Sequence, residues 1–148
     1  MHFYTAHLVA KEVIQIPVLG LSLPFAARQK GRQRVRTDAG EEIGLQLRRG
    51  ITLRGGDVLE SATGPPLLVR ATNEDVSTVH VASARHVARL AYHLGNRHVS
   101  LQIGDGWLRY QQDTVLDNMV RQMGYSVTHG RLAFEPEAGA YQANHAHQ

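Results

Sequence analysis

Tyr92-His93-Leu94-Gly95-Asn96-Arg97-His98 is the stretch where the sequence predicts a helix to turn into a strand. Upstream of it, apolar residues recur at i, i+3, i+4 and i+7 spacing and predict one buried helix face: Ala84, Val87, Leu90, Ala91 and Leu94. Gly95 is predicted to end the helix, because glycine takes the left-handed conformation of a C-terminal cap without a Cβ penalty. His98 then opens an alternating run, residues 99–103, that predicts a strand. A histidine held between two rigid elements suits a metal ligand, but the motif by itself favours an ordinary surface residue.

The composition is that of a globular chain without thiols. The 148 residues are 43% hydrophobic and 20% charged, which fits one domain or two small ones. Cysteine is absent, so a bound metal would be held by imidazole, carboxylate or backbone groups, and nine histidines are many for this length. No stretch is long enough to span a bilayer, and the N-terminus lacks the basic region of a secretory signal. We therefore expect no membrane association and a cytoplasmic location.

The first half of the chain, residues 1–72, predicts short strands separated by turns and no long helix. The runs with strand character are residues 8–9, 13–16, 34–36, 43–47 and 67–69. Asp38-Ala39-Gly40 lies between two of these runs and predicts a hairpin turn. This half is predicted to be a small β-barrel or sandwich.

The second half alternates strands and helices. Residues 76–81 predict a strand, Ser83 caps the first helix, and residues 99–103 and 107–110 predict two more strands. A second helix is predicted to start at Asp113 and to end at Gly124, and residues 125–129 predict the last strand. The order β-α-β-β-α-β is that of the ferredoxin-like split βαβ arrangement. The predicted class is therefore α+β, with a β-rich N-terminal domain and a ferredoxin-like C-terminal domain.

Catalytic motifs are lacking. The sequence contains no Gly-Xaa-Ser-Xaa-Gly elbow, no phosphate loop and no His-Glu-Xaa-Xaa-His pair. Without cysteine, the usual thiol nucleophile is also missing. The sequence therefore predicts that the protein is not an enzyme.

Metal binding has more support, although no single element supplies a complete site. His86 and His93 are seven residues apart on the helix flank, which separates them by roughly 10 Å, too far to hold one ion together. His98 has one remaining route to a site, which is to meet its own copy across a two-fold axis. His145 and His147 near the C-terminus could complete such a site, or they could belong to a disordered terminus. An imidazole site of this kind suits Ni²⁺, Cu²⁺ or Zn²⁺.

The basic stretch from 28 to 36 is the main rival feature, because its cations could contact phosphates. Arg32, Arg34 and Arg36 alternate, however, as the outward face of a strand would, and acidic residues follow closely. No interleaved aromatic side chains are available for base stacking. We expect a solvated strand face or a protein-docking surface, and no nucleic-acid binding.

The whole chain resembles the UreE family of urease accessory nickel metallochaperones. Three segments carry the resemblance: residues 92–98, residues 113–116 and residues 134–141, the last reading Phe-Glu-Pro-Glu-Ala-Gly-Ala-Tyr. A further similarity is the N-terminal pattern of basic residues, threonine, glycine and acidic residues over positions 34–42.

The resemblance implies a peptide-binding-like domain over residues 1–72, a ferredoxin-like metal-binding domain over 73–142 and a histidine-containing tail over 143–148. It implies a homodimer that holds Ni²⁺ on its axis, with His98 as the central ligand of each protomer. His145 or His147 would add to the site, and His93 is a further candidate. The implied partners are an accessory GTPase and the apo-urease assembly complex. The alternative is a protein-interaction module of such a complex, in which metal binding is incidental.

Overall fold

A computed structural model describes residues 1–139. The chain divides into two compact units, one formed by residues 1–72 and the other beginning at Asn73, and each is described by itself. No helix in the described range is long and apolar enough to cross a bilayer. Both units combine strands with helices, and the predicted α+β class is confirmed.

The first unit is a six-stranded sheet with a one-turn helix. Its strands are β1 (Phe3–Leu8), β2 (Leu19–Leu23), β3 (Arg32–Arg36), β4 (Glu42–Gln46), β5 (Val58–Ser61) and β6 (Leu67–Ala71). The helix α1 is Phe25–Arg28, and a 3-10 turn covers Ala10–Glu12. The strand order is β2-β6-β5-β1-β4-β3, and the sheet is mixed because β1 pairs with β4 and β2 with β6 in parallel.

Asp38 joins the two edges of this sheet. Its backbone N–H donates to the carbonyl of Gly20 at 3.0 Å, and its carboxylate accepts from the backbone N–H of Ser22 at 2.9 Å and from the Ser22 hydroxyl at 3.0 Å. Gly20 and Ser22 belong to edge strand β2, while Asp38 lies two residues beyond Arg36, the end of β3 at the other edge. The sheet is therefore a nearly closed, barrel-like layer, as the sequence predicted.

Local pattern and observed strands differ in part of this unit. The hairpin turn at Asp38-Ala39-Gly40 is confirmed, with Gly40 at a φ of +87°. The strand predicted over residues 13–16 is wrong: Ile14 and Ile16 are exposed in a loop, because no neighbouring strand supplies backbone partners there. Strands β2 and β5 were not predicted, although the leucines of β2 alternate with Gly20 and Ser22; β5 is a short run of four residues without alternation.

The second unit has the predicted ferredoxin-like arrangement. Its elements are β7 (Asn73–His80), α2 (Ala84–Gly95), β8 (Gln102–Gly104), β9 (Trp107–Gln111), α3 (Thr114–Gln122) and β10 (Thr128–Ala133). The strands form an antiparallel sheet in the order β10-β7-β9-β8. The helices bury Leu90, Leu94 and Val120 in a core shared with β7 and β9. The chain order and the sheet order together confirm the split βαβ prediction.

The predicted helix starts hold, and two strands are displaced. The strand predicted over residues 99–103 is confined to Gln102–Gly104, where it pairs with β9. The hydroxyl of Ser83 accepts from the His86 N–H, and the carboxylate of Asp113 accepts from the Leu116 N–H at 3.0 Å, so both caps are confirmed. The last strand runs over Thr128–Ala133 instead of the predicted residues 125–129. Pairing with β7 sets this register, beginning with Thr128 opposite Thr78.

Candidate metal centre

The turn after α2 places His98 in an unusual backbone conformation. Helix α2 ends at Gly95, and Asn96 follows in a right-handed conformation. The N–H of Arg97 donates to the carbonyl of Leu94, and the N–H of His98 to that of Gly95, each at 3.0 Å. The left-handed conformation predicted for Gly95 is therefore wrong. It falls on His98, whose φ of +56° is the one positive value among the non-glycine residues of 1–139.

The ring of His98 is free for a ligand. The residue is exposed, and neither ring nitrogen takes part in a hydrogen bond or ion pair with another residue of the described range. Leu94 is fully buried on one side of the turn, and Leu101 is nearly so on the other. An accessible imidazole is therefore carried by a backbone that is anchored at both ends.

The two histidines of α2 differ in whether the ring has a hydrogen-bond partner. His86 places its Nδ1 atom 2.7 Å from the hydroxyl of Tyr125, so one of its nitrogens is engaged. His93, in the last turn of α2, is exposed and contacts the Tyr92 ring edge-on, with 5.2 Å between the ring centroids. His93 is therefore a candidate ligand, whereas His86 has a local partner. Within residues 1–139, no group of three or more histidines and carboxylates is arranged to hold a metal ion.

The segment after β10 returns toward this region. Phe134 is fully buried, the N–H of Glu135 donates to the side-chain oxygen of Gln102 at 3.0 Å, and the N–H of Glu137 donates to the carbonyl of Leu101 at 2.8 Å. The chain leading to the tail is thus fastened three residues after His98. The predicted ligands His145 and His147 lie outside the described residues.

A buried polar cluster in the same unit escaped the sequence analysis. The Asp117 carboxylate, only 3% exposed, accepts from the hydroxyls of Ser77 at 2.7 Å and Tyr110 at 2.6 Å. Its other oxygen lies 2.7 Å from Nε2 of His129, which the sequence predicted only as a structural or surface histidine. The available signal was an aspartate among the apolar positions of α3, next to Leu116 and one turn before Val120.

Hydrogen bonding controls the ionisation of this cluster. Burial alone would raise the pKa of the Asp117 carboxyl, but the donors Tyr110, Ser77 and His129 outweigh burial and hold that pKa below its usual value. Burial, and then the hydrogen bond to Asp117, raise the pKa of the Tyr110 hydroxyl. The cluster therefore pairs an ionised carboxylate with a neutral tyrosine and stabilises the fold on the side of the sheet covered by the helices.

Comparison with known proteins identifies the family. Residues 6–72 match the model of the UreE urease accessory protein N-terminal domain, and residues 74–148 match the model of its C-terminal domain. A urease accessory protein UreE of Alcanivorax borkumensis is 52% identical over 132 residues, covering 86% of this chain and 75% of the relative. UreE proteins of Pseudomonas putida (strain F1) and Enterobacter sp. are 53% and 50% identical, covering 83% and 84% of this chain and 74% and 82% of the relatives.

The relatives carry the name of accessory proteins, and the prediction of a non-enzymatic role is confirmed. The match covers both units, and the resemblance noted from the segments around His98 and Asp113 is confirmed with it. The chain belongs to the UreE family of urease accessory proteins.

Proposed function

We propose that this protein is a cytoplasmic carrier that delivers Ni²⁺ to apo-urease during assembly of its metallocentre, acting with an accessory GTPase. In this proposal a homodimer holds the ion between the His98 rings of its two protomers, and His145 or His147 completes the site. The relatives are named urease accessory proteins, which supports the assembly role. The observation that carries the metal site is the exposed, unpartnered ring of His98 in a left-handed turn.

The conformation of His98 argues for a functional reason to keep histidine there. A left-handed conformation costs a residue with a Cβ about 1–2 kcal/mol, and glycine would avoid that cost. Because the His98 ring is exposed, its packing does not offset this conformational cost. Strained backbone of this kind clusters at ligand sites, where it aims a side chain. A ring that projects from a tight turn can also approach a two-fold axis ahead of the neighbouring side chains.

The tail ligands are within reach of His98. Glu137 is fastened to Leu101, and three residues of chain separate Leu101 from His98, which limits that distance to about 11 Å. His145 is eight residues beyond Glu137, a length of chain that spans at most about 28 Å. The covalent chain therefore allows either tail histidine to reach the same ion as His98.

Imidazole ligands explain how the ion is taken up and released. Neutral imidazole binds Ni²⁺ well, and Zn²⁺ or Cu²⁺ can substitute. Tail ligands would leave first when a partner docks, so that the partner's own ligands take over the ion. Because the metal needs the neutral ring, affinity should fall as the pH drops through about 6.5, the range where free histidine titrates.

The domains divide the work in this proposal. Residues 73–142 carry the central ligands, with His93 as a secondary one, and residues 143–148 close the site. Residues 1–72 serve as a docking domain for the assembly complex. No membrane or nucleic-acid partner is needed.

Titration calorimetry with light scattering tests the metal site. The wild type should bind one tight Ni²⁺ per dimer, and His98→Ala should lose it while remaining dimeric. His86→Ala is the matched control, because His86 lies on α2, the helix that precedes the turn at His98, with its ring turned to Tyr125; this variant should bind Ni²⁺ normally. Full affinity in His98→Ala would refute the assignment and move the site to His93 or the tail. No tight binding by the wild type would remove the carrier function altogether.

A second function is favoured by one observation in the first unit. The loop before β2 exposes three large apolar side chains: Ile14, Ile16 and Val18. Exposed apolar patches are unfavourable in water and often mark a site of protein interaction. In this alternative the protein is an interaction module of the assembly complex, and its metal binding is incidental. Serine substitutions at these three positions that abolish urease activation while Ni²⁺ binding stays intact would favour it. If His98→Ala abolishes urease activation and the serine variant does not, the carrier function is favoured.

A further inference from the structure

Three arginines line one open pocket at the open end of the β3–β4 hairpin. The pocket has a cavity volume of about 390 Å³ and is lined by Gly31, Arg32, Leu47, Arg48 and Arg49; we call it the arginine pocket. The N–H of Leu47 donates to the carbonyl of Gly31 at 2.8 Å, and the Leu47 side chain is buried in the core. The residues that carry the charges are therefore held on a hydrogen-bonded framework.

The charge of the arginine pocket is not neutralised within the described residues. Arg32, Arg48 and Arg49 are exposed and form no ion pair with a carboxylate of residues 1–139. On the same strand, Arg34 and Arg36 lie 3.8 and 3.9 Å from the carboxylate oxygens of Glu42. The positive charge of the pocket therefore lacks a carboxylate partner within residues 1–139. It attracts anions, and its like charges repel one another until an anion arrives.

Two backbone carbonyl oxygens border the pocket, and they favour an anion that also carries hydrogen-bond donors. A Cβ on Gly31 would lie 2.9 Å from the carbonyl oxygen of Leu47 and 3.4 Å from that of Arg48, so both oxygens border this space. Neither accepts a hydrogen bond from another group of residues 1–139. Phosphate oxygens would be repelled by these acceptors. A peptide brings carboxylates for the arginines and N–H groups for the carbonyls.

We propose that the arginine pocket binds an acidic segment of a partner protein, with Asp or Glu side chains paired to Arg32, Arg48 and Arg49. Arginine suits this role because its planar fork binds a carboxylate through two parallel hydrogen bonds. The inference goes beyond nickel delivery, since it names a protein-recognition site in the unit that lacks His98. It also gives the chemistry of the segment recognised.

Fluorescence anisotropy on the full chain tests the proposal. The probe is a short labelled peptide of alternating Asp and Glu, compared with an Asn/Gln peptide of the same length. The pocket variant is R32Q/R48Q/R49Q, and the control K11Q/R85Q/R121Q removes the same charge from exposed positions elsewhere. Loss of paired guanidinium–carboxylate bonds should weaken the acidic peptide at least about tenfold in the pocket variant and less than about twofold in the control. R48K, which keeps the charge and loses the fork, should fall between them.

Several results would overturn the proposal. Equal weakening by the two triple variants would mean that only the overall field attracts the peptide, and absence of binding by the wild type would remove the site. Inorganic phosphate that displaces the peptide at matched charge would indicate a simple anion site. An oligodeoxynucleotide that binds as tightly, with the same dependence on the three arginines, would indicate nucleic acid. Both triple variants should match the wild type in thermal unfolding and in Ni²⁺ titration. These two measurements distinguish loss of peptide binding from misfolding and from failure of the metal site.

Discussion

The Nε2 atom of His129 lies 2.7 Å from Oδ2 of Asp117, which ties an exposed ring on β10 to a carboxylate buried beneath α3. The same carboxylate accepts from Ser77 on β7 and Tyr110 on β9. Three neighbouring strands and one helix thus meet at a single side chain. Asp117 therefore fixes how α3 sits on the sheet, a task that apolar contacts, which lack direction, do less specifically.

Removing this carboxylate should destabilise the protein in proportion to the donors left unpaired. Asp117→Ala buries the hydroxyls of Ser77 and Tyr110 without an acceptor and should lower the free energy of unfolding by about 3 kcal/mol. Asp117→Asn keeps one acceptor oxygen and should cost about 1 kcal/mol. Urea denaturation at pH 7 measures both. Equal, small losses in the two variants would show that the cluster contributes little.

Acid should weaken the protein partly through the same group. Because the folded-state pKa of Asp117 is lowered, its contribution is fully present above the ordinary aspartate pKa of about 3.9 and is lost as the pH falls through the lowered value. We expect the wild type to lose stability more steeply than Asp117→Asn below about pH 4. Unfolding curves recorded between pH 7 and the acid transition give the comparison, and parallel curves would contradict it.

The backbone at His98 should prefer glycine. His98→Gly relieves the left-handed strain and should raise the free energy of unfolding by up to about 1 kcal/mol, after allowance for the greater entropy of the unfolded glycine chain. His93→Gly is the control, since it places glycine within α2 and should lower stability by about 1 kcal/mol. Thermal and urea unfolding of the apoprotein measure both. A His98→Gly variant as unstable as His93→Gly would show that the His98 ring contributes to the fold.

The contact between the two edges of the first sheet should depend more on the hydrogen bonds of Asp38 to Ser22 than on its ion pair with Arg70. Asp38→Ala removes the acceptor for both the backbone and the hydroxyl of Ser22 and should cost about 1–2 kcal/mol. Arg70→Gln removes a partly exposed guanidinium 3.2 Å from Asp38 and should cost less than about 1 kcal/mol. Unfolding followed by near-ultraviolet circular dichroism compares the two. A larger loss of stability in Arg70→Gln would show that the ion pair contributes more than the hydrogen bonds to this contact.

The strands of this protein show where sequence patterns reach their limit. Residues 13–16 have the apolar character of a strand but lie exposed, whereas Leu19–Leu23 pairs with Leu67–Ala71 far along the chain. In the last strand, partners on β7 set the start at Thr128, and the more apolar residues before it pack on the core without pairing. The contact between His129 and Asp117 could not be predicted for the same reason, because the two residues are on different elements.

The sequence by itself determined the features that depend on residues close together in the chain. These are the two amphipathic helices, their caps at Ser83 and Asp113, the hairpin turn at Gly40 and, through the order of elements, the ferredoxin-like class. Only the tertiary structure decided the strand partners, the closure at Asp38, the buried Asp117 cluster and the left-handed turn at His98. Those depend on groups that meet across the fold, where the cost of unpaired backbone and buried charge selects one arrangement from many that local preference allows.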